Sequence, residues 1–216
     1  MYDKAYDELM NLYLDNFRSS ITDLFLDSTV VPNSNLPNNL TSFCFKFKNK
    51  LSMKHNIICD NNNIVYKYLT TSSQPPDSVF IEQTIDKLPR KLLDIYTYNK
   101  SCTSHCDAGY IICKDINVKL RKSKHMTINA QYRKNMVKNK KRKQKKQKSI
   151  NNMNSLMKRY KIEHVNAVIK RTYKKISQIK DRKIESVNVW STITCSLITS
   201  KFLINNKVHM LLNMLV

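Results

Sequence analysis

Apolar side chains return at three- and four-residue intervals along the first part of the chain: Tyr6, Leu9, Met10, Tyr13, Phe17, Ile21, Leu24 and Phe25. That spacing predicts an amphipathic helix from about Tyr2 to Asp27, with Asp3, Asp7, Glu8, Asp15 and Asp23 on the rest of its surface. The early acids suit the positive end of the helix dipole. The stretch VPNSNLPNN, with two prolines and four asparagines, stops it. Such a helix serves either core packing or a protein partner.

The period then changes to two. In TSFCFKFK, Phe43, Phe45 and Phe47 alternate with Ser42, Cys44, Lys46 and Lys48, which predicts a strand with a core-facing aromatic row. NIICDNNNIVYKYL predicts a hairpin, because Asp60 to Asn63 tolerate left-handed backbone and cap themselves. Val79–Leu88 and Lys91–Tyr98 read as short helices separated by Pro89. Gly109 marks a turn, and Tyr110–Leu120 reads as another β-prone run.

The second half has a different grain. Residues 138–148, KNKKRKQKKQK, are eight-elevenths basic with no apolar member, so they repel one another and cannot enter a core. Ile162, Val165, Ile169, Thr172, Ile176 and Ile179 restore a helical period and predict a basic amphipathic helix over 154–187. SVNVWSTITCSLITS, residues 186–200, is uncharged and β-branched and reads as a buried strand pair or an amphiphilic tail. The fold class is therefore α+β: an N-terminal helix with a small, mostly antiparallel sheet, then a basic flexible segment and a long amphipathic helix. The expected division is a compact domain at 1–120, a basic tether at 121–153, the helix at 154–187 and an apolar segment at 188–216.

Charge sharpens this division. The chain has 216 residues and a formal net charge of +22 from 38 Lys and Arg against 16 Asp and Glu. Residues 1–90 are nearly neutral, with 9 basic and 10 acidic side chains. Residues 119–183 hold 24 basic residues against only Glu163 and Asp181. An A- and T-rich genome would favour Lys and Asn everywhere, but it would not confine charge to one segment. A polyanionic partner is the physical complement of that segment.

Reactive chemistry is sparse by comparison. A single glycine, Gly109, excludes dinucleotide fingerprints, phosphate-cradling loops and nucleophile elbows. The six cysteines read as reduced intracellular thiols, since no cationic-then-apolar leader precedes them. Cys102, Cys106, Cys113 and His125 are the candidate set for a structural zinc, although their spacing is not a common one. No other cofactor is implied. Asp107 and Asp115 border the basic half and are its nearest carboxylates for a magnesium-dependent nuclease, a thin basis for an enzyme.

These features predict a non-enzymatic, sequence-nonspecific nucleic-acid-binding protein of viral type, located in the nucleus or cytoplasm, with RNA ahead of DNA. Its contacts are Lys138, Lys140, Lys141, Arg142, Lys143, Lys145, Lys146, Lys148, Lys170, Arg171, Lys174 and Lys175 on phosphates, with Tyr160 and Tyr173 stacking on bases. The alternatives are a structural or host-interaction protein with a nuclear-import signal, engaging a protein through the N-terminal or 154–187 helix, and a peripheral membrane protein. Neutralising the eight block positions from Lys138 to Lys148 is expected to weaken binding to unrelated sequences by similar factors while the N-terminal domain stays folded. If the block contacts ~5 phosphates, the log–log salt slope on duplex becomes shallower by ~4–5 units. A salt series on two unrelated strands checks this, and unchanged slopes would leave the block to nuclear import.

Overall fold

The computed structural model describes residues 2–32, 42–44, 50–72, 75–96, 102–106, 108–110, 114–130, 161–169, 171 and 184–214. Helix α1 (Tyr2–Phe17) leads through a 3-10 turn into β1 (Asp23–Pro32), followed by β2 (Ser42–Cys44), β3 (Lys50–Asp60) and β4 (Val65–Ser72). Two short helices, α2 (Ile81–Asp86) and α3 (Arg90–Leu93), precede β5 (Cys102–Cys106). Helix α4 (Lys114–Lys124) connects to β6 (Met126–Ala130), and two later helices are α5 (161–169) and α6 (Ile184–Met214).

The sheet runs β2-β3-β1-β5-β6, with β4 also paired to β3. β1 to β4 pair antiparallel, whereas β5 joins β1 in parallel and β6 joins β5 in parallel. Parallel neighbours need a crossover, which α2 and α3 provide before β5 and α4 provides before β6. Leu24, Phe25 and Leu26 are consecutive in β1 and all buried. A strand covered on both faces carries a continuous apolar run and loses its alternation. The fold is thus mixed α+β, as the hydrophobic pattern predicts.

The hairpin turn is held by a buried acid. Asp60 accepts hydrogen bonds from the hydroxyls of Tyr13 (2.5 Å) and Tyr66 (2.8 Å) and from the backbone N–H of Asn62 (2.8 Å) and Ile64 (3.0 Å). Asn63 takes φ 66°, the left-handed position expected of an asparagine turn. Burial raises the Asp60 pKa, while the four donors act in the opposite sense. On α1, Tyr13 also stacks on Phe17 and meets Phe202 of α6 edge-on, both at 5.6 Å between ring centres.

Several expectations change. α1 ends at Phe17, and Leu24 and Phe25 belong to β1, because an apolar run buried on both faces mimics a continuing helical stripe. Tyr110–Leu120 enters a 3-10 turn and α4. Residues 186–200 lie in α6, where Thr194, Ser196 and Thr199 donate to carbonyls four residues back and so satisfy their hydroxyls inside a helix. The sheet continues past residue 120 into β6. Ile162, Val165 and Ile169 of α5 and Cys195 of α6 share one core with Tyr6 and Leu24. The proposed tether, with its basic block, lies outside the described residues from 131 onward, and so does much of the 154–187 segment.

His55 gives this core an acid limit. It is buried in β3, with Nδ1 3.2 Å from Thr70 Oγ1 and its ring edge-on to Tyr68. Burial pushes its pKa from the usual 6.5 down to about 4. A depressed histidine pKa contributes stability that is complete above 6.5 and lost as pH falls towards 4, because the unfolded chain takes up the proton first. The loss amounts to about 3 kcal/mol. Urea denaturation between pH 7 and pH 4 should show a steeper fall for the wild type than for H55Q, and parallel curves would refute it.

Candidate active site

The site is built outward from Asp27. This residue sits in the middle of β1 and is half-buried, which contrasts with the fully buried Asp60. Its Oδ1 accepts the backbone N–H of Ser28 at 2.8 Å, and its Oδ2 accepts Nδ2 of Asn166 at 2.7 Å. The second bond reaches from α5, whose Ile162, Val165 and Ile169 are buried in the core. Glu163, exposed on α5, lies three positions before Asn166, so one helical turn separates them along one side of the helix. Lys161 of the same helix donates to the Asn61 carbonyl at 2.5 Å and ties α5 to the β3–β4 turn.

The C-terminal end of β5 arrives beside Asp27. Leu26 pairs with Cys106 in the parallel register. Tyr110, in the 3-10 turn Ala108–Tyr110, is buried and donates to Asn56 Oδ1 of β3 at 3.5 Å, and its pKa is raised first by burial and then by Asp77 and Asp27. The end of β5 is thus level with Leu26, and Tyr110 lies within electrostatic reach of Asp27. The residue between β5 and that turn in sequence is Asp107, which itself lies outside the described residues.

Other features are structural. Asp23 and His105, 2.9 Å apart, are largely buried near the start of β1, where the imidazole stacks on Phe25. A cleft of about 270 Å³ on another side of α5 is lined by residues including Asn62, His164, Val168 and Phe202. Among the described residues no carboxylate lines it.

A family profile for the transposase DDE domain matches residues 18–198, which is 181 of the 216 residues. The chain belongs to the DDE transposase family. No curated protein and no solved structure matches it. The match overturns the expectation of a non-enzymatic, sequence-nonspecific binding protein, since this family cuts DNA and transfers strands. Nucleic acid is indeed the partner, but the preference for RNA gives way to DNA, and the viral and nuclear attributes find no support in the family.

Members of this family use divalent magnesium or manganese, and not the zinc expected from the cysteines. Carboxylates are hard oxygen donors suited to such ions. Asp27 presents such a carboxylate, held by Ser28 N–H and Asn166 Nδ2. Among the described residues no group of three or more His, Cys, Asp or Glu gathers. The zinc set does not assemble in this way either. Cys102 and Cys106 are four residues apart on extended β5, about 13 Å between Cα atoms. Their sulfurs cannot share one tetrahedral ion, and burial pushes the Cys102 thiol up to about 12. His125 contributes its carbonyl to the Cys102 N–H at 2.9 Å, and Cys113 lies outside the described residues.

Of the predicted nucleic-acid contacts, Arg171 is described and exposed, just beyond α5. Lys138, Lys140, Lys141, Arg142, Lys143, Lys145, Lys146, Lys148, Tyr160, Lys170, Tyr173, Lys174 and Lys175 lie outside the described residues. By spacing alone Asp107 is a bordering acid, Glu163 an exception in a basic stretch, and Asp27 the end of a helix. The readable signal at Asp27 was an acid in the middle of LFLDSTVV, where a half-buried strand has no ordinary use for a charge. No described helix is long and apolar enough to cross a membrane.

Proposed function

We propose that this chain cuts and rejoins DNA phosphodiesters with Asp27, Asp107 and Glu163 as its three acids, Asp27 from β1, Asp107 next in sequence after β5 and Glu163 from α5. The observation that carries the reading is the 2.7 Å bond from Asn166 to Asp27, which docks the Glu163 helix where β1 pairs with the end of β5. The acids would hold the divalent cations. Bound cations supply Lewis-acid stabilisation of the attacking and leaving oxygens of an in-line displacement at phosphorus.

The protein's own contribution is rigidity and orientation. The strand fixes the backbone of Asp27, and Ser28 N–H and Asn166 Nδ2 fix its carboxylate. Burial of Ile162, Val165 and Ile169 fixes the rotation of α5 and hence the side on which Glu163 stands. The basic residues of 119–183 supply backbone affinity for DNA around acids that would otherwise repel it.

The expected outcome is that D27N, D107N and E163Q each lower DNA cleavage by ~10²–10³-fold or more, as loss of an electrostatic stabiliser does. DNA binding and circular dichroism should stay near wild type. D115N makes the same charge change on α4 and should cleave normally. A cleavage assay with Mg²⁺ or Mn²⁺ on supercoiled and linear DNA reads this. Full activity in any of the three variants would remove that residue from the site.

A further inference from the structure

Asn166 is an unusual residue to bury. It is 6% exposed in the middle of α5, between Val165 and Ala167, where an apolar side chain of the same size would pack without a polar cost. Asparagine also has little preference for helix interiors. Its Nδ2 donates to Asp27 Oδ2 at 2.7 Å, the short end of the N–H···O range and typical of a charge-assisted bond. Its Oδ1 is buried and has no hydrogen-bond partner among the described residues. Half of the amide is thus committed to Asp27, and the other half is an acceptor with no partner among the described residues. Reversing the amide would set oxygen against oxygen, so the bond selects one orientation.

The consequence for Asp27 is geometric. A carboxylate turns about a broad, roughly two-fold terminal torsion. Here Ser28 N–H grips Oδ1 from the strand and Asn166 grips Oδ2 from the helix, so the plane of the group is set from two elements at once. Because Asn166 lies one turn beyond Glu163, the amide that orients one acid rides on the segment that carries another.

We propose that Asn166 is a positioning residue that fixes the Asp27 carboxylate relative to Glu163 for binding divalent cations, its Oδ1 being the acceptor for a cation-bound water. The proposal rests on the reading of Asp27 and Glu163 as cation-holding acids. It assigns to Asn166 no contact with DNA and no proton. A purely structural Asn166 would affect folding stability alone, whereas a positioning residue sets cation affinity in a folded protein.

The test is direct Mn²⁺ titration of the full chain without DNA, with free Mn²⁺ followed by electron paramagnetic resonance and thermal unfolding measured alongside. N166L, which removes the donor at similar size, should bind Mn²⁺ about 10–100-fold more weakly, the usual effect of losing a partner that orients a metal ligand. N166A is measured in parallel and carries the comparison if the leucine variant does not fold. N166H, whose Nδ1 is as many bonds from the backbone as the amide nitrogen, should recover part of the affinity. DNA cleavage in Mg²⁺ should fall further than in Mn²⁺, since Mg²⁺ demands stricter geometry. D27N separates the two levels of the argument. If D27N binds Mn²⁺ and cleaves like the wild type, the assignment of the site fails. If D27N loses both while folded N166L or N166A binds Mn²⁺ like the wild type, the role of Asn166 alone is overturned.

Discussion

Parallel pairing of β1 with β5 is the constraint on which the candidate site depends. An antiparallel meander can be closed by tight turns, but a parallel neighbour has to be delivered by a crossover, and here that crossover spans residues 73–101. Its register, Leu26 opposite Cys106, brings two stretches of chain eighty residues apart to the same level of the sheet. α5 then closes over that level through Asn166. Slipping the register by one residue would turn the side chains of one strand to the opposite face, so the buried Leu24–Leu26 run protects the site as well as the core.

The contrast between Asp60 and Asp27 shows how one residue type is given two roles. Asp60 is fully buried, accepts four protein donors, and sits at a turn that it holds against α1. It is saturated by the protein. Asp27 is half-buried, is held by Ser28 N–H at one oxygen and Asn166 at the other, and stands where two strands and a helix converge. Deep burial makes Asp60 a structural acid, and restraint at a half-buried junction makes Asp27 a candidate ligand.

Charge misled the functional reading for a physical reason. A basic segment reports affinity for phosphate, and that affinity is shared by binding proteins and by enzymes that act on nucleic acid. It carries no information about bond-breaking. The proposed chemistry resides in a few acids that a net charge of +22 hides. The same reasoning applies to the cysteines: proximity in sequence suggested zinc, but extension along a strand moves Cys102 and Cys106 apart where a turn would have brought them together.

Side-chain spacing is enough to define the local elements whose period is unambiguous. The α1 stripe, the Asp60–Asn63 hairpin and the core face of α5 all follow from side-chain spacing, as does the α+β class. It did not determine where α1 stops, because Leu24 and Phe25 fit a helical stripe and a doubly buried strand equally well. It did not determine that 186–200 is helical, because the β-branched residues and hydroxyls of α6 are reconciled to a helix only by core packing and by bonds to carbonyls four residues back. The meeting of Asp27 with Asn166 was decided by tertiary structure alone. Periodicity reports which side of an element is apolar, whereas the pairing of distant elements is set by sheet register and crossover, which leave no periodic trace in the chain.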